Sequence, residues 1–165
     1  MIELSRRGGI AVLTMAHGKA NALDIEFCDA IVAEFNRLRG APERAVVLTG
    51  QGGMFSAGVN LLKLSDGGVD YVRRFLPALH RLYETIFFFG KPVIAAVNGH
   101  AIAGGCVLEC CADKRISLFQ PREHDTKGVL GTCSTMLRLV SRRIHDIQAF
   151  FEQHLKHRVV GTLVC

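Results

Sequence analysis

The alternation of apolar segments with glycine-containing turns predicts a hairpin and then a helix at the start of the chain. Two short apolar segments, Ile2–Arg7 and Ile10–Met15, flank Gly8-Gly9. Glycine readily adopts the positive φ angles of a tight turn, so this pattern is typical of a β-hairpin. After a loop, Asp24 is placed as an N-cap, and apolar residues then recur at helical spacing until Gly40.

The middle of the chain contains two continuous apolar runs, at residues 45–49 and 92–97. Runs of this kind predict buried strands. Between them, residues 69–88 carry apolar positions at helical spacing. The remaining elements follow by the same criteria: a helical turn at residues 60–64, a helix of small residues at 103–112 and a short strand at 114–118. The predicted order is β-β-α-β-(α)-α-β-α-β, an α/β architecture.

Composition narrows the class of protein. The chain has 165 residues, of which 49% are hydrophobic and 21% charged, so a disordered, collagen-like or coiled-coil chain is not expected. The net charge of +5 comes without a dense basic run, and we therefore expect no nucleic-acid partner. Residues 85–108 are nearly uncharged, but Pro92 and Asn98-Gly99 interrupt them, so we expect no membrane span. The N-terminal residues lack a signal-peptide pattern, which favours a cytoplasmic location.

The six cysteines do not indicate a disulfide framework. Cys106, Cys110 and Cys111 lie among apolar residues, where thiols behave as small core side chains. A metal site made of Cys106, Cys110 and His100 has residues four apart on one helix face, but it lacks a CxxC pair and a clear fourth ligand. We therefore expect reduced cysteines and no metal site.

Two glycine-rich loops are candidates for chemistry. Residues 55–61 and 98–106 each follow a predicted buried strand, and the carboxyl ends of strands are where ligands collect in α/β sheets. Neither loop contains the Gly-Lys-Ser/Thr of a P-loop or the G-x-G-x-x-G of a dinucleotide fold. Two interpretations remain: the glycines only satisfy tight turns, or the two loops form one site.

These loops resemble those of a known family. Residues 55–61, F-S-A-G-V-N-L, resemble the F-S-A-G-x-D-L loop of the crotonase (enoyl-CoA hydratase/isomerase) superfamily. Residues 91–106 are similar to its K-P-V-I-A-A-V-N-G-x-A-x-G-G-G segment, and residues 17–23 to its N-terminal loop that contacts coenzyme A. Three motifs in the same order within residues 1–116 imply the crotonase-like ββα spiral, an α/β fold.

The resemblance implies an acyl-CoA thioester as substrate, in fatty acid metabolism. It places the backbone N–H groups of Ala57 and Gly104 in an oxyanion hole, where one fixed donor is worth roughly 10²–10³ in rate because negative charge accumulates on the thioester oxygen. Coenzyme A then enters as part of the substrate and no separate cofactor is implied, while family members assemble from trimers. The residues expected to bind substrate are Lys19, Ala20, Ala22, Ser56, Gly58, Asn60, Leu61 and Gly105.

The acid–base residues of the family pattern are absent from their positions. Where hydratases carry a glutamate after the glycines, this chain has Val107, and Glu109 lies about 200° further around a helix. The downstream family glutamate has no match. Three hypotheses follow: an enzyme that relies on enolate stabilisation, isomerase-like rather than hydratase-like; a catalytically incompetent module that binds CoA thioesters; or a truncated product without function.

The resemblance divides the chain into a core at residues 1–116 and a divergent tail at 117–165. The tail holds four of the seven histidines, and its apolar residues recur three or four apart, which predicts an amphipathic helix. Two interpretations of the tail stay open. It is either foreign or out-of-frame sequence that truncates or replaces the C-terminal half of the fold, or a functional appendage.

Overall fold

The computed structural model describes residues 1–117. Within that range the chain forms a mixed α/β fold, with strands and helices in alternation after an opening hairpin. The strands are β1 (Ile2–Arg7), β2 (Ile10–Met15), β3 (Ala22–Leu23), β4 (Ala45–Gly50), β5 (Met54–Ser56), β6 (Gly58–Val59), β7 (Val93–Val97), β8 (His100–Ala101) and β9 (Lys114–Ser117). The helices are α1 (Ile25–Arg39), α2 (Leu61–Phe87) and α3 (Gly104–Cys110).

The first three predicted elements are confirmed. Strands β1 and β2 pair antiparallel around Gly8 and Gly9, whose φ angles are 55° and 77°. Helix α1 starts after the N-cap Asp24, whose carboxylate accepts a hydrogen bond from the Phe27 N–H at 2.9 Å. This bond satisfies one of the N–H groups that a helix leaves unpaired at its start, so the local sequence determines where α1 begins.

Five strands form one sheet in the order β1-β2-β4-β7-β9, in which β2, β4, β7 and β9 run parallel. The prediction of strands at 45–49 and 92–97 is confirmed, but their burial alternates. In β4, Val46 and Leu48 are buried, whereas Val47 is half-buried. In β7, the same alternation separates buried Ala95 from half-buried Ile94. One face of the strands β2, β4 and β7 is therefore buried and the other only partly covered within residues 1–117, whereas all four residues of β9 are exposed.

The buried face of the sheet forms a core with helices α1 and α2, which pack against each other. Helix α2 joins the two helical segments that the sequence predicts separately, and its backbone leaves helical geometry at Gly68 (φ 57°, ψ −156°). Residues 61–67 thus form a short helical segment before the longer part of α2. The largest fully buried side chains of the core are Phe27, Phe35, Phe55, Phe75, Leu13, Met15, Leu23, Ile31, Leu38, Leu48, Leu82 and Ile86.

Four short strands were not predicted. Strand β3 pairs with β6, and β5 pairs with β8, in two parallel ladders outside the main sheet. The sequence pattern predicts loops at these residues, because strands of two or three residues are too short to show a hydrophobic period. Among residues 1–117, no helix is long and apolar enough to cross a membrane. The predicted tail helix lies outside the described residues.

Candidate functional site

The two short ladders bring together the three segments that carry the sequence motifs. Ala22 pairs with Gly58 and Leu23 with Val59, which joins residues 17–23 to residues 55–61. Ser56 pairs with Ala101, which joins residues 55–61 to residues 98–106. The three motifs, far apart along the chain, therefore meet at one place. We call these three segments the site loops.

Asn21 organises the site loops from within. It is 3% exposed and holds a φ of 48°, which asparagine tolerates better than most residues. Its side-chain amide donates to the carbonyl of Phe55 at 3.1 Å and to that of Met54 at 3.3 Å, and its Oδ1 accepts from the His17 N–H at 2.8 Å. The amide thus fixes the first site loop against the second.

Ser56 is expected to contact substrate, but its side chain is fully buried. The hydroxyl donates to the Asn21 carbonyl at 2.8 Å and accepts from the Gly58 N–H at 3.1 Å. Both contacts lie inside the loop assembly. The hydroxyl group therefore holds the loop from inside, and the expected contact of Ser56 with substrate stays a prediction.

Asn98 is a second organising asparagine that the sequence analysis did not single out. Its Oδ1 accepts from the Gly50 N–H at 2.9 Å, and its Nδ2 donates to the Gly52 carbonyl at 2.7 Å. The adjacent Gly99 packs directly on the backbone of Gly53, so a Cβ at position 99 would overlap that carbonyl. The Asn98-Gly99 pair indicates a turn, but the partners of the amide lie almost fifty residues away.

At the centre of the site loops, two glycines bring two backbone segments into contact. Gly58 has a φ of +82°, and a Cβ there would lie 2.6 Å from the Ile102 carbonyl oxygen and 2.7 Å from the Gly104 nitrogen. A Cβ on Gly104 would lie 3.4 Å from the Gly58 Cα. Gly105 is similarly buried against the Ser56 backbone. We call this contact the Gly58–Gly104 junction; peptide groups, not side chains, form it.

Ala57 is expected to supply a free N–H, but that group is occupied. It donates to the Ala20 carbonyl at 2.9 Å, in the contact that joins the first two site loops. A peptide N–H has a single proton to donate. The Ala57 N–H is therefore not free to act as an oxyanion-hole donor in this structure.

The N–H groups of Val59 and Gly104 are in a different situation. The Asn60 N–H donates to the Leu23 carbonyl across the β3–β6 ladder at 2.9 Å. Successive N–H groups of a strand point to opposite sides. The Val59 N–H thus points away from β3. Within residues 1–117, neither this N–H nor that of Gly104, the first residue of α3, takes part in the backbone bonds that join the site loops. Both donors flank the Gly58–Gly104 junction.

Ala103, the residue before α3, holds a strained backbone. Its φ of 47° and ψ of −112° lie in a region that favours glycine. The family pattern that the sequence resembles has glycine at this position. Such strain costs on the order of 1–3 kcal/mol and persists only where the surrounding structure imposes it. The next two residues provide that constraint, because Gly104 packs on Gly58 and Gly105 packs on the Ser56 backbone.

The ionisable groups on α3 and behind it are partly buried. Burial raises the pKa of Glu109, and the Arg115 guanidinium, 4.0 Å away on β9, opposes this only in part. Val107, at the position of the hydratase glutamate, is half-buried. The Tyr83 hydroxyl donates to the Gly104 carbonyl at 3.1 Å, and burial raises its pKa well above the ordinary range. Tyr83 therefore holds its proton and supports Gly104 from behind.

The other expected substrate-binding residues lie in the first two site loops. Lys19 is exposed on the first site loop, with half-buried Ala20 and Ala22 beside it. Leu61 is 73% exposed. Asn60 caps α2, because its Oδ1 accepts from the Lys63 N–H at 3.2 Å. The first two site loops thus carry a cation, small residues and an exposed apolar side chain. Asn60 has a structural role as the N-cap of α2.

Comparison with known proteins is consistent with this geometry. A family model described as enoyl-CoA hydratase/isomerase matches residues 5–144. The chain is 27% identical over 143 residues to the mitochondrial enoyl-CoA delta isomerase 1 of Rattus norvegicus, covering 86% of this chain. It is 39% identical over 114 residues to a carnitinyl-CoA dehydratase of Salmonella paratyphi B, covering 68% of this chain.

Solved structures of enoyl-CoA hydratases also resemble this chain. The crystal structure of an enoyl-CoA hydratase from Polaromonas superimposes with a TM-score of 0.67 at 32% identity, over 70% of this chain and 47% of that one. The chain covers 48% of the rat protein and 43% of the Salmonella protein. It therefore spans about half the length of these relatives.

Proposed function

Because the chain belongs to the enoyl-CoA hydratase/isomerase family, we propose that it binds acyl-CoA thioesters at the Gly58–Gly104 junction. The observation that carries the proposal is the convergence of the three site loops on two peptide N–H groups, of Val59 and Gly104. Glycines 58 and 104 keep that place free of side chains, so the planar thioester can approach the backbone.

The chemistry that suits two such donors is stabilisation of a thioester enolate. When a proton leaves the carbon next to the thioester, its electron pair delocalises and the carbonyl oxygen becomes negative. Donors fixed by the fold stabilise that charge without reorganising, and each contributes roughly 10²–10³ in rate. The proposed oxyanion hole consists of the Val59 and Gly104 N–H groups, with Val59 in place of Ala57.

Four residues of the first two site loops suit the remainder of the substrate. We propose that Lys19 pairs with phosphates of coenzyme A, that Ala20 and Ala22 leave room for its pantetheine and adenine parts, and that exposed Leu61 contacts apolar parts of the ligand. Coenzyme A arrives with the substrate, and a separate cofactor is not part of the proposal. Assembly of the chain as a homotrimer is a further proposal, which sedimentation equilibrium tests.

A second candidate function is a CoA-thioester binding module without catalysis. The observation that favours it is Val107, which cannot transfer a proton, at the position of the hydratase glutamate. The carboxylate that α3 does carry, Glu109, lies 4.0 Å from the Arg115 guanidinium. Between the catalytic options, enolate stabilisation in an isomerase-like reaction demands fewer carboxylates than hydration does.

Calorimetry with acetoacetyl-CoA tests both candidates, and turnover of crotonyl-CoA and a 3-enoyl-CoA separates them. Binding with turnover supports the enzyme, binding without turnover supports the module, and the absence of binding rejects both. Gly104→Pro removes one proposed donor, because proline has no N–H. We expect this variant to lose turnover by about 10²-fold or more and to keep its affinity for free coenzyme A. Unchanged turnover would exclude Gly104 as a donor.

A further inference from the structure

Asp24 is a buried carboxylate that connects three segments. It is 1% exposed. Its Oδ1 accepts from the Phe27 N–H at the start of α1, and its Oδ2 lies 2.9 Å from His17 Nε2 and 3.0 Å from Lys63 Nζ. Burial raises the pKa of Asp24, but the bonds from His17, Phe27 and Lys63 outweigh burial and lower it. The carboxylate therefore stays charged and depends on these partners.

One of those partners belongs to a site loop, and another lies directly after one. His17 begins the first site loop and also donates its N–H to Asn21, which reaches the second loop. Its ring stacks on Phe27 with centroids 4.6 Å apart, so its position is well defined. Lys63 lies in the first turn of α2, directly after residues 55–61. The Asp24 carboxylate thus links the first site loop to the start of α2, which follows the second site loop.

Lys63 is the charged anchor of a hinged segment. Its Nζ lies 2.9 Å from Glu26 Oε2 as well as 3.0 Å from Asp24 Oδ2, so it pairs with two carboxylates of α1 and its N-cap. Residues 61–67 precede the break at Gly68, and their side chains at Leu61 and Leu62 are 73% and 77% exposed. A segment with a break at one end and exposed apolar side chains needs an attachment, and Lys63 provides one.

A second ion pair allows a comparison between general helix packing and a local effect. Arg81, further along α2, lies 2.9 Å from Asp29 of α1. It therefore also connects α1 to α2, but it is far along the helix from the hinged segment and contacts no site loop through these bonds. Loss of either cation removes an ion pair between α1 and α2. Only the loss of Lys63 also takes a hydrogen-bonding partner from Asp24.

We propose that Lys63 is a positioning residue for acyl-CoA binding: through Asp24 it holds residues 61–67 against the loop at residues 17–23. The inference rests on the proposed function, since it assigns the site loops to an acyl-CoA thioester. Lys63 acts through other residues and does not need to touch the reacting atoms.

The experiment compares Lys63→Met with Arg81→Met in the full chain, with Lys63→Arg as the conservative variant. We expect Lys63→Met to weaken acetoacetyl-CoA binding in calorimetry by about tenfold, because displaced binding groups lose affinity steeply, and Lys63→Arg to restore most of it. Arg81→Met keeps the wild-type affinity. Hydrogen exchange of amides in residues 17–23 and 61–67 accelerates in Lys63→Met and not in Arg81→Met.

The outcomes separate the two proposals. If the wild-type chain binds no CoA thioester, the proposed function fails and the inference falls with it. If the wild-type chain binds but Lys63→Met and Arg81→Met show equal affinity and equal exchange, Lys63 has only a packing role and the inference is overturned, while the proposed function stands.

Discussion

The close contact at the Gly58–Gly104 junction predicts that the substitution Gly58→Ala lowers both stability and affinity for CoA thioesters. A Cβ at this position would lie 2.6 Å from the Ile102 carbonyl oxygen and 2.7 Å from the Gly104 nitrogen. Both are backbone atoms and cannot rotate away as a side chain would. Because real Cβ contacts under 3.0 Å are essentially never observed, the α3 segment and β6 must separate by about 0.4 Å to admit the methyl group.

Two costs combine in this variant. Holding alanine at a φ of +82° costs roughly 1–2 kcal/mol, as for other L-residues in left-handed backbone. Separating the packed backbones costs about 1–3 kcal/mol more, by comparison with overpacked cores. The separation also moves the Gly104 N–H relative to the Val59 N–H, and a displacement of this size at two fixed donors lowers affinity or rate by about tenfold.

Gly8→Ala is the matched control. Gly8 also has a positive φ, of 55°, but nothing lies within 4 Å of a Cβ placed there, so it reports the conformational cost alone. Urea unfolding should show a loss of about 1–2 kcal/mol for Gly8→Ala and about 2–5 kcal/mol for Gly58→Ala. Acetoacetyl-CoA affinity should fall only in Gly58→Ala. Equal affinity in the two folded variants would refute the assignment of the thioester to this junction.

Two further predictions concern α3. Ala103→Gly should stabilise the protein by about 1 kcal/mol in urea unfolding, because it relieves a positive φ, whereas Ala101→Gly in a strand should destabilise it; a loss in both variants would argue against strain at Ala103. Glu109→Gln should stabilise the protein at pH 7, because burial raises the pKa of the carboxyl above its ordinary 4.5 and penalises the charged form in the folded state. That gain should vanish below pH 4.5, and a gain that persists at pH 3.5 would contradict the assignment.

The elements that the sequence predicts correctly are those that local chemistry determines. The Gly8-Gly9 pair specifies the turn of the hairpin, and Asp24 specifies the first residue of α1 through its own side chain. The apolar periods of α1 and α2 are long enough to define helices. The three motifs also identify the family and the segments that meet in the site.

The features that were missed depend on partners distant along the chain. Whether the Ala57 N–H is free depends on the Ala20 carbonyl, and the two residues of β6 become a strand only because β3 lies beside them. Asn21 and Asn98 show the same limit, since their side chains bond to carbonyls and N–H groups more than thirty residues away. No period or short motif encodes such contacts.

The proposed site accounts for a chain that carries the three family motifs and yet has valine where the hydratase pattern has a glutamate. Oxyanion stabilisation uses peptide groups, so it requires small residues at 58, 104 and 105 and the asparagines that hold the loops, but no reactive side chain. Proton transfer, in contrast, requires a carboxylate at a defined place, and this chain has Val107 at one such place. Under the proposed function, binding and polarising a thioester is thus separable from choosing its reaction: backbone N–H groups serve the first, and the side chains around them select the second.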